Sequence, residues 1–121
     1  MHQYLGIWQN ATGERLIIER AGEHVVNVTF LRNGEPIARP WLHGKPSTSM
    51  IGREREPSEL TVELWAPGRG YTLEIVHEAQ YRLRSGPVEA LVVGISRYER
   101  DRFLAQYSPL FGGLEYFTRV T

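Results

Sequence analysis

The sequence predicts an all-β fold: a single closed antiparallel up-and-down barrel of about eight to nine strands, with one helix over about residues 97–107 packed on its outside before the last strand. Three observations carry this. Turn residues recur at the short spacing of consecutive strands rather than of strand–helix units. Tyr71 to Leu83 follows a period of two, with Tyr71, Leu73, Ile75, His77, Ala79, Tyr81 and Leu83 on one face and Thr72, Glu74, Val76, Glu78, Gln80 and Arg82 on the other. One capping sequence, Ser96-Arg97-Tyr98-Glu99, interrupts the strands late in the chain.

The punctuation is Thr12-Gly13, Ala21-Gly22, Asn33-Gly34, His43-Gly44, Pro57-Ser58, Ala66-Pro67-Gly68-Arg69-Gly70 and Ser85-Gly86. Between these marks the sequence reads as strands near 4–9, 14–20, 24–31, 36–42, 47–53, 59–65, 71–84, 88–95 and 114–120. With 121 residues there is room for one hydrophobic core, so residues 1–121 form a single domain.

The registers follow from the alternation. Asn33-Gly34 suits a two-residue hairpin loop, which pairs Phe30 with Ile37, Val28 with Arg39 and Val26 with Trp41. Pro36 and Pro40 mark that returning strand as an edge or an irregular segment. A loop at Ala66 to Arg69 sets Leu64 opposite Tyr71, Val62 opposite Leu73 and Leu60 opposite Ile75. A slip of one residue would turn Glu63 onto the apolar face, so this register is strongly specified. A two-residue loop at Ser85-Gly86 aligns Arg82 with Glu89 outside and Tyr81 with Ala90 inside. Continued, it places Val92 and Gly94 inside, beside Ala79 and His77, and turns Leu91, Val93 and Ile95 outward.

An outer face so apolar needs a cover. The capping sequence starts a helix whose Phe103, Leu104 and Tyr107 form an apolar stripe, and Ser108-Pro109 stops it. Gly112-Gly113 then turns the chain into a last strand that can pair with the first and close the sheet.

Fourteen basic and fourteen acidic residues balance, which argues against a phosphate backbone as partner. The absence of cysteine excludes disulfides and thiolate metal sites. No basic segment followed by an apolar stretch opens the chain, so the default compartment is the cytoplasm, with a trimmed secretory signal as the alternative. The sequons at Asn10 and Asn27 carry no weight without secretion.

Gly6-Ile7-Trp8 at the start of the first strand resembles the G-x-W signature of the lipocalins and the wider calycin group, and the order of eight strands, outer helix and final strand is similar to theirs. The resemblance implies that Trp8 plugs one end of the barrel under a basic residue standing just before the helix. Arg97 occupies that position, with Arg100 as a substitute. The family's middle T-D-Y motif is not recognisable here. The resemblance further implies binding of a hydrophobic small molecule, although one fold serves many functions.

No nucleophile-elbow, zinc-protease or phosphate-loop pattern is present, so no catalytic residue and no metal ligand are assigned. Glu59, Glu63, Glu74 and Glu78 alternate onto a wet outer wall. His77 sits in an apolar stripe. It either contacts a ligand or is a core histidine whose nitrogens are satisfied by neighbours. Haem ligation through His77 is the minor alternative, since a single histidine lacks a second ligand signal; otherwise no cofactor is expected. Arg39, if inside, needs an anionic partner such as a ligand carboxylate; if outside, it lies over Trp41 and Phe30.

The expected function is non-covalent binding of a small hydrophobic or amphipathic ligand inside the barrel, with Arg39, Trp41, Tyr71, His77, Tyr81 and Gly94 as contacts. Ala79, Ala90 and Gly94 would provide the empty volume. One alternative is an interaction or inhibitor module with a filled barrel, marked by an outer patch of Trp65 and Phe117. Another is a lyase or isomerase using His77 with Tyr71 or Tyr81 as acid and base. The expected partner is a small apolar or amphipathic molecule, with neither nucleic acid nor a membrane span involved.

Overall fold

The computed structural model describes residues 2–36, 50–56, 59–66, 69–95 and 115–121. The strands are β1 (Gly6–Gln9), β2 (Arg15–Gly22), β3 (Val25–Arg32), β4 (Glu35–Pro36), β5 (Met50–Glu56), β6 (Glu59–Ala66), β7 (Arg69–Leu83), β8 (Gly86–Ile95) and β9 (Glu115–Arg119). Eight of them close a circle in chain order, β1-β2-β3-β5-β6-β7-β8-β9, with β9 returning to β1 and β4 appended to the end of β3. Every pairing is antiparallel. Closure removes the free edges that an open sheet would present to other chains. The expected helix at 97–107 lies outside the described residues.

In the β6–β7 hairpin the register agrees with the alternation. Leu60, Val62 and Leu64 pair with Ile75, Leu73 and Tyr71. Asn33 and Gly34 hold φ of 51° and 80°, the two successive positive values that a tight hairpin requires. The turn aligns Arg32 with Glu35 and Leu31 with Pro36.

Two expectations fail. First, the strand beside Val25–Val28 is β5: Met50 pairs with Val28 and Gly52 with Val26, where Arg39 and Trp41 were expected. Second, β8 presents its other face. The turn lies one residue earlier than expected and pairs Leu83 with Gly86 and Tyr81 with Val88; a bulge between Glu78 and Tyr81 then shifts the register, so that His77 meets Leu91 and Ile75 meets Val93. One extra residue on one strand exchanges the faces of everything beyond it.

Leu91 and Val93 are therefore core residues, at 0% and 2% exposure. Val92 pairs with Val76 and Gly94 with Glu74 on the outer face. The apolar surface assigned to the helix loses Leu91 and Val93, which removes much of the reason for a cover.

The interior is packed. Leu16, Ile18, Val26, Val28, Phe30, Leu60, Val62, Leu73, Ile75, Leu91, Val93 and Phe117 belong to one buried cluster with Tyr4 and Trp8. The rings of Phe30 and Phe117 meet edge to face at 6.0 Å between centroids. A Cβ on Gly52 would stand 3.0 Å from Val26 Cγ2 and 3.1 Å from Val28 Cγ2, so that position has no spare volume.

Candidate functional site

The polar groups facing inward gather at the end of the barrel where the chain begins. A turn at His2–Leu5, closed by the Leu5 amide donating to the His2 carbonyl at 3.2 Å, carries Tyr4 to full burial. Trp8 follows on β1, also fully buried, and its Nε1 donates to the Tyr4 carbonyl at 2.8 Å. Gly6 holds φ of 128°, and a Cβ there would stand 2.4 Å from the Thr121 carbonyl oxygen. Glycine before Trp8 is thus required both by backbone conformation and by the close approach of the C-terminal strand.

Arg119 on β9 pairs in register with Trp8, and its guanidinium lies over the indole, 4.1 Å from the ring centroid. The basic residue on the tryptophan comes from the last strand, whereas Arg97 and Arg100 lie outside the described residues. Arg119 Nε donates to Glu89 Oε1 at 2.8 Å, Nη1 to the Leu5 carbonyl at 2.8 Å and Nη2 to the Gln3 carbonyl at 2.8 Å. Longer bonds of 3.4 Å reach the Thr121 carbonyl and Glu89 Oε2. The planar fork serves this geometry in a way a lysine ammonium cannot.

Glu89 also accepts from His77 Nε2 at 2.8 Å. The bonds from Arg119 first, and then from His77, hold its carboxyl below the usual range for glutamate. An ionised carboxylate only accepts, so Nε2 of His77 carries the proton. The imidazole side chain is 13% exposed and stands edge-on to Tyr4 and Trp8, with centroids 6.2 and 6.3 Å away. Burial, with Glu54 and Glu59 adding repulsion, raises the Tyr4 hydroxyl far above the usual tyrosine range; Gln3 offsets part of this. By strict hydrogen-bond geometry the Tyr4 oxygen has no partner among the described residues.

Of the other expected contacts, Tyr81, Gly94 and Tyr71 stand at positions apart from His77. Tyr81 pairs with Val88 beyond the bulge, and its ring lies 5.4 Å from that of Tyr116, on the outer wall. Gly94 is opposite Glu74 rather than His77. Tyr71 is six residues from His77 along β7, roughly 20 Å at strand rise, and its side chain lies outside the described part. Neither tyrosine can therefore share a proton with His77. Arg39 and Trp41 fall outside the described residues. Phe117 is fully buried, so the outer patch expected of it with Trp65 does not form.

The sequence reading missed Tyr4, Glu89 and Arg119. A signal for Arg119 was available: in β9 it shares the face of Phe117, opposite the face of Tyr116 and Thr118. Glu89 gave none, because its inward orientation depends on the bulge.

Among the described residues no cluster of three or more acidic or histidine side chains is placed to hold a metal ion, and no helix is long and apolar enough to cross a membrane. No family model, curated protein or solved structure matches the chain. The closed eight-stranded antiparallel barrel is consistent with a lipocalin-like or calycin-like architecture.

Proposed function

We propose that this chain is a non-enzymatic binding module, a filled barrel of calycin-like type that acts as a rigid scaffold and recognises its partner on the outer wall. The observation that supports this best is the edge-to-face contact of Phe30 and Phe117 within a fully buried core. Opening about 300 Å³ of ligand space in such a core costs on the order of 7 kcal/mol at roughly 24 cal/mol per Å³. That is comparable to the whole stability of a small domain. The bulge has also moved Gly94, expected to supply empty volume, and Tyr81, expected to contact a ligand, to the outside. At the Trp8 end, the bonds that Glu89 accepts from His77 and from Arg119 favour structural closure over proton transfer as the role of these groups.

Uptake of a small apolar or amphipathic molecule into the barrel is the competing reading. Its support is the wholly apolar set of Leu16, Phe30, Leu73, Val93 and Phe117 in the core, with half-buried Met50 packed against it. Titration with the dye anilinonaphthalene sulfonate separates the two. The filled barrel gives no saturable rise in emission under native conditions. A saturable rise that palmitate displaces would establish internal uptake and overturn the proposal.

A further inference from the structure

The bulge in β7 has a second effect, on the outer surface. It turns Tyr81 outward to meet Tyr116, and beside that pair an open depression of about 280 Å³ is lined by Gln9, Asn10, Ala11, Leu83, Tyr116, Thr118 and Val120. We propose that this depression is a binding site for a small, uncharged ring compound carrying one hydroxyl or amide group. The inference deepens the outer-wall reading and rests on it.

The volume lies just under the lower end of small-molecule sites, about 300 Å³, which limits the occupant to a single ring with a short substituent. Leu83, Tyr116 and Val120 supply apolar and aromatic surface for the ring's face and edge, and Val120 is 42% exposed. No lining residue is charged, although charged residues make up 23% of the sequence. A charged ligand would leave water for a surface whose neighbouring charges, Arg15 and Glu115, are already engaged by Gln9 and Asn10.

The rim is pre-organised. Asn10 Oδ1 accepts from the amides of Thr12 at 3.1 Å and Glu14 at 2.9 Å and from the Thr12 hydroxyl at 3.0 Å. Its Nδ2 donates to Glu115 at 3.3 Å. Asn10 thus shapes the rim and has little capacity left for a ligand. Gln9 differs: its Oε1 accepts from Arg15 Nε at 3.1 Å, which leaves its NH2 group as a donor beside the hydroxyls of Tyr116 and Thr118. The Thr118 hydroxyl, whose bond to the Gln9 carbonyl is long at 3.5 Å, can exchange that bond for one to the ligand.

The test is a titration of the isotope-labelled protein with benzyl alcohol, followed by amide chemical shifts, with benzoate and benzylamine as charged probes of the same size. Saturable shifts are expected at Ala11, Leu83, Thr118 and Val120 in the millimolar range typical of so small a ligand. Both charged probes should bind at least about tenfold more weakly. Ala11→Arg, in an exposed turn, and Val120→Glu should each weaken benzyl alcohol by a similar factor while leaving distant amides unmoved. No saturable shift, shifts indifferent to both substitutions, or equal binding of the charged probes would overturn the site. Shifts centred on Leu16, Leu73 and Val93 would overturn the filled-barrel reading as well.

Discussion

Arg119 and Trp8 face each other across the β1–β9 seam, the guanidinium 4.1 Å from the centre of the indole ring. That contact joins the first and last strands of the barrel. The same guanidinium ties the N-terminal turn, through the carbonyls of Gln3 and Leu5, to Glu89 on β8. The closed end is therefore held by one side chain serving three separate parts of the chain.

Replacing Arg119 with methionine should cost about 2–3 kcal/mol in denaturant unfolding, since it removes charge-assisted bonds and a cation–π contact at a partly exposed site. Lysine should recover less than half of this, because an ammonium cannot span the carbonyls and the carboxylate together. Full recovery by lysine would show that charge alone matters there.

The stability of the closed end should fall on the acid side. Glu89 has a folded-state pKa below its usual value of 4.5, so its pairing contributes fully above that pH and is lost as pH falls through the folded value. Glu54, lowered chiefly by its bond from His24, adds in the same direction. Unfolding of Glu89→Gln and the wild type, compared at neutral pH and at stepwise lower pH, should show a difference that narrows below pH 4.5. A constant difference would remove Glu89 from the account.

Gly52→Ala tests how full the interior is. In an open strand the change would be favourable by about 0.5–1 kcal/mol, from lost chain entropy alone. Here the added Cβ meets Val26 and Val28 at 3.0 and 3.1 Å, so a loss of about 1–3 kcal/mol is expected by equilibrium unfolding. A gain would mean that the barrel has slack at its centre.

Tyr81→Ala should cost only about 1 kcal/mol, in contrast to the 3–5 kcal/mol of a buried aromatic. A double-mutant cycle with Tyr116→Ala should return a coupling of about 0.5–1.5 kcal/mol for the tilted ring pair. Zero coupling with a large single-mutant loss would place Tyr81 back inside.

Period-two alternation was enough to read the class, most strands and the β6–β7 register, because in that hairpin a slip would carry Glu63 to the apolar side. Asn33-Gly34 announced its turn through the positive φ that both residues accept. Trp8 stood out by its glycine. The bulge was not legible, since Ala79 and Gln80 are exposed and indifferent to either face, so nothing local marks the extra residue. That single residue decided the faces of Leu91, Val93 and Gly94 and the direction of Tyr81 and Glu89.

Strand partners separated by long connections were equally hidden. β3 meets β5 at Val25–Val28, and Arg119 meets Trp8 from the far end of the chain, because closing the barrel brings those edges together. The sequence by itself determined most of the strands and, for Leu60, Val62, Leu73 and Ile75 in the β6–β7 hairpin, which side chains turn inward, since both depend on neighbours along the chain. Only the tertiary structure decided the β8 register and the composition of the closed end, since these depend on backbone pairing between distant segments and on the volume available within the ring of strands.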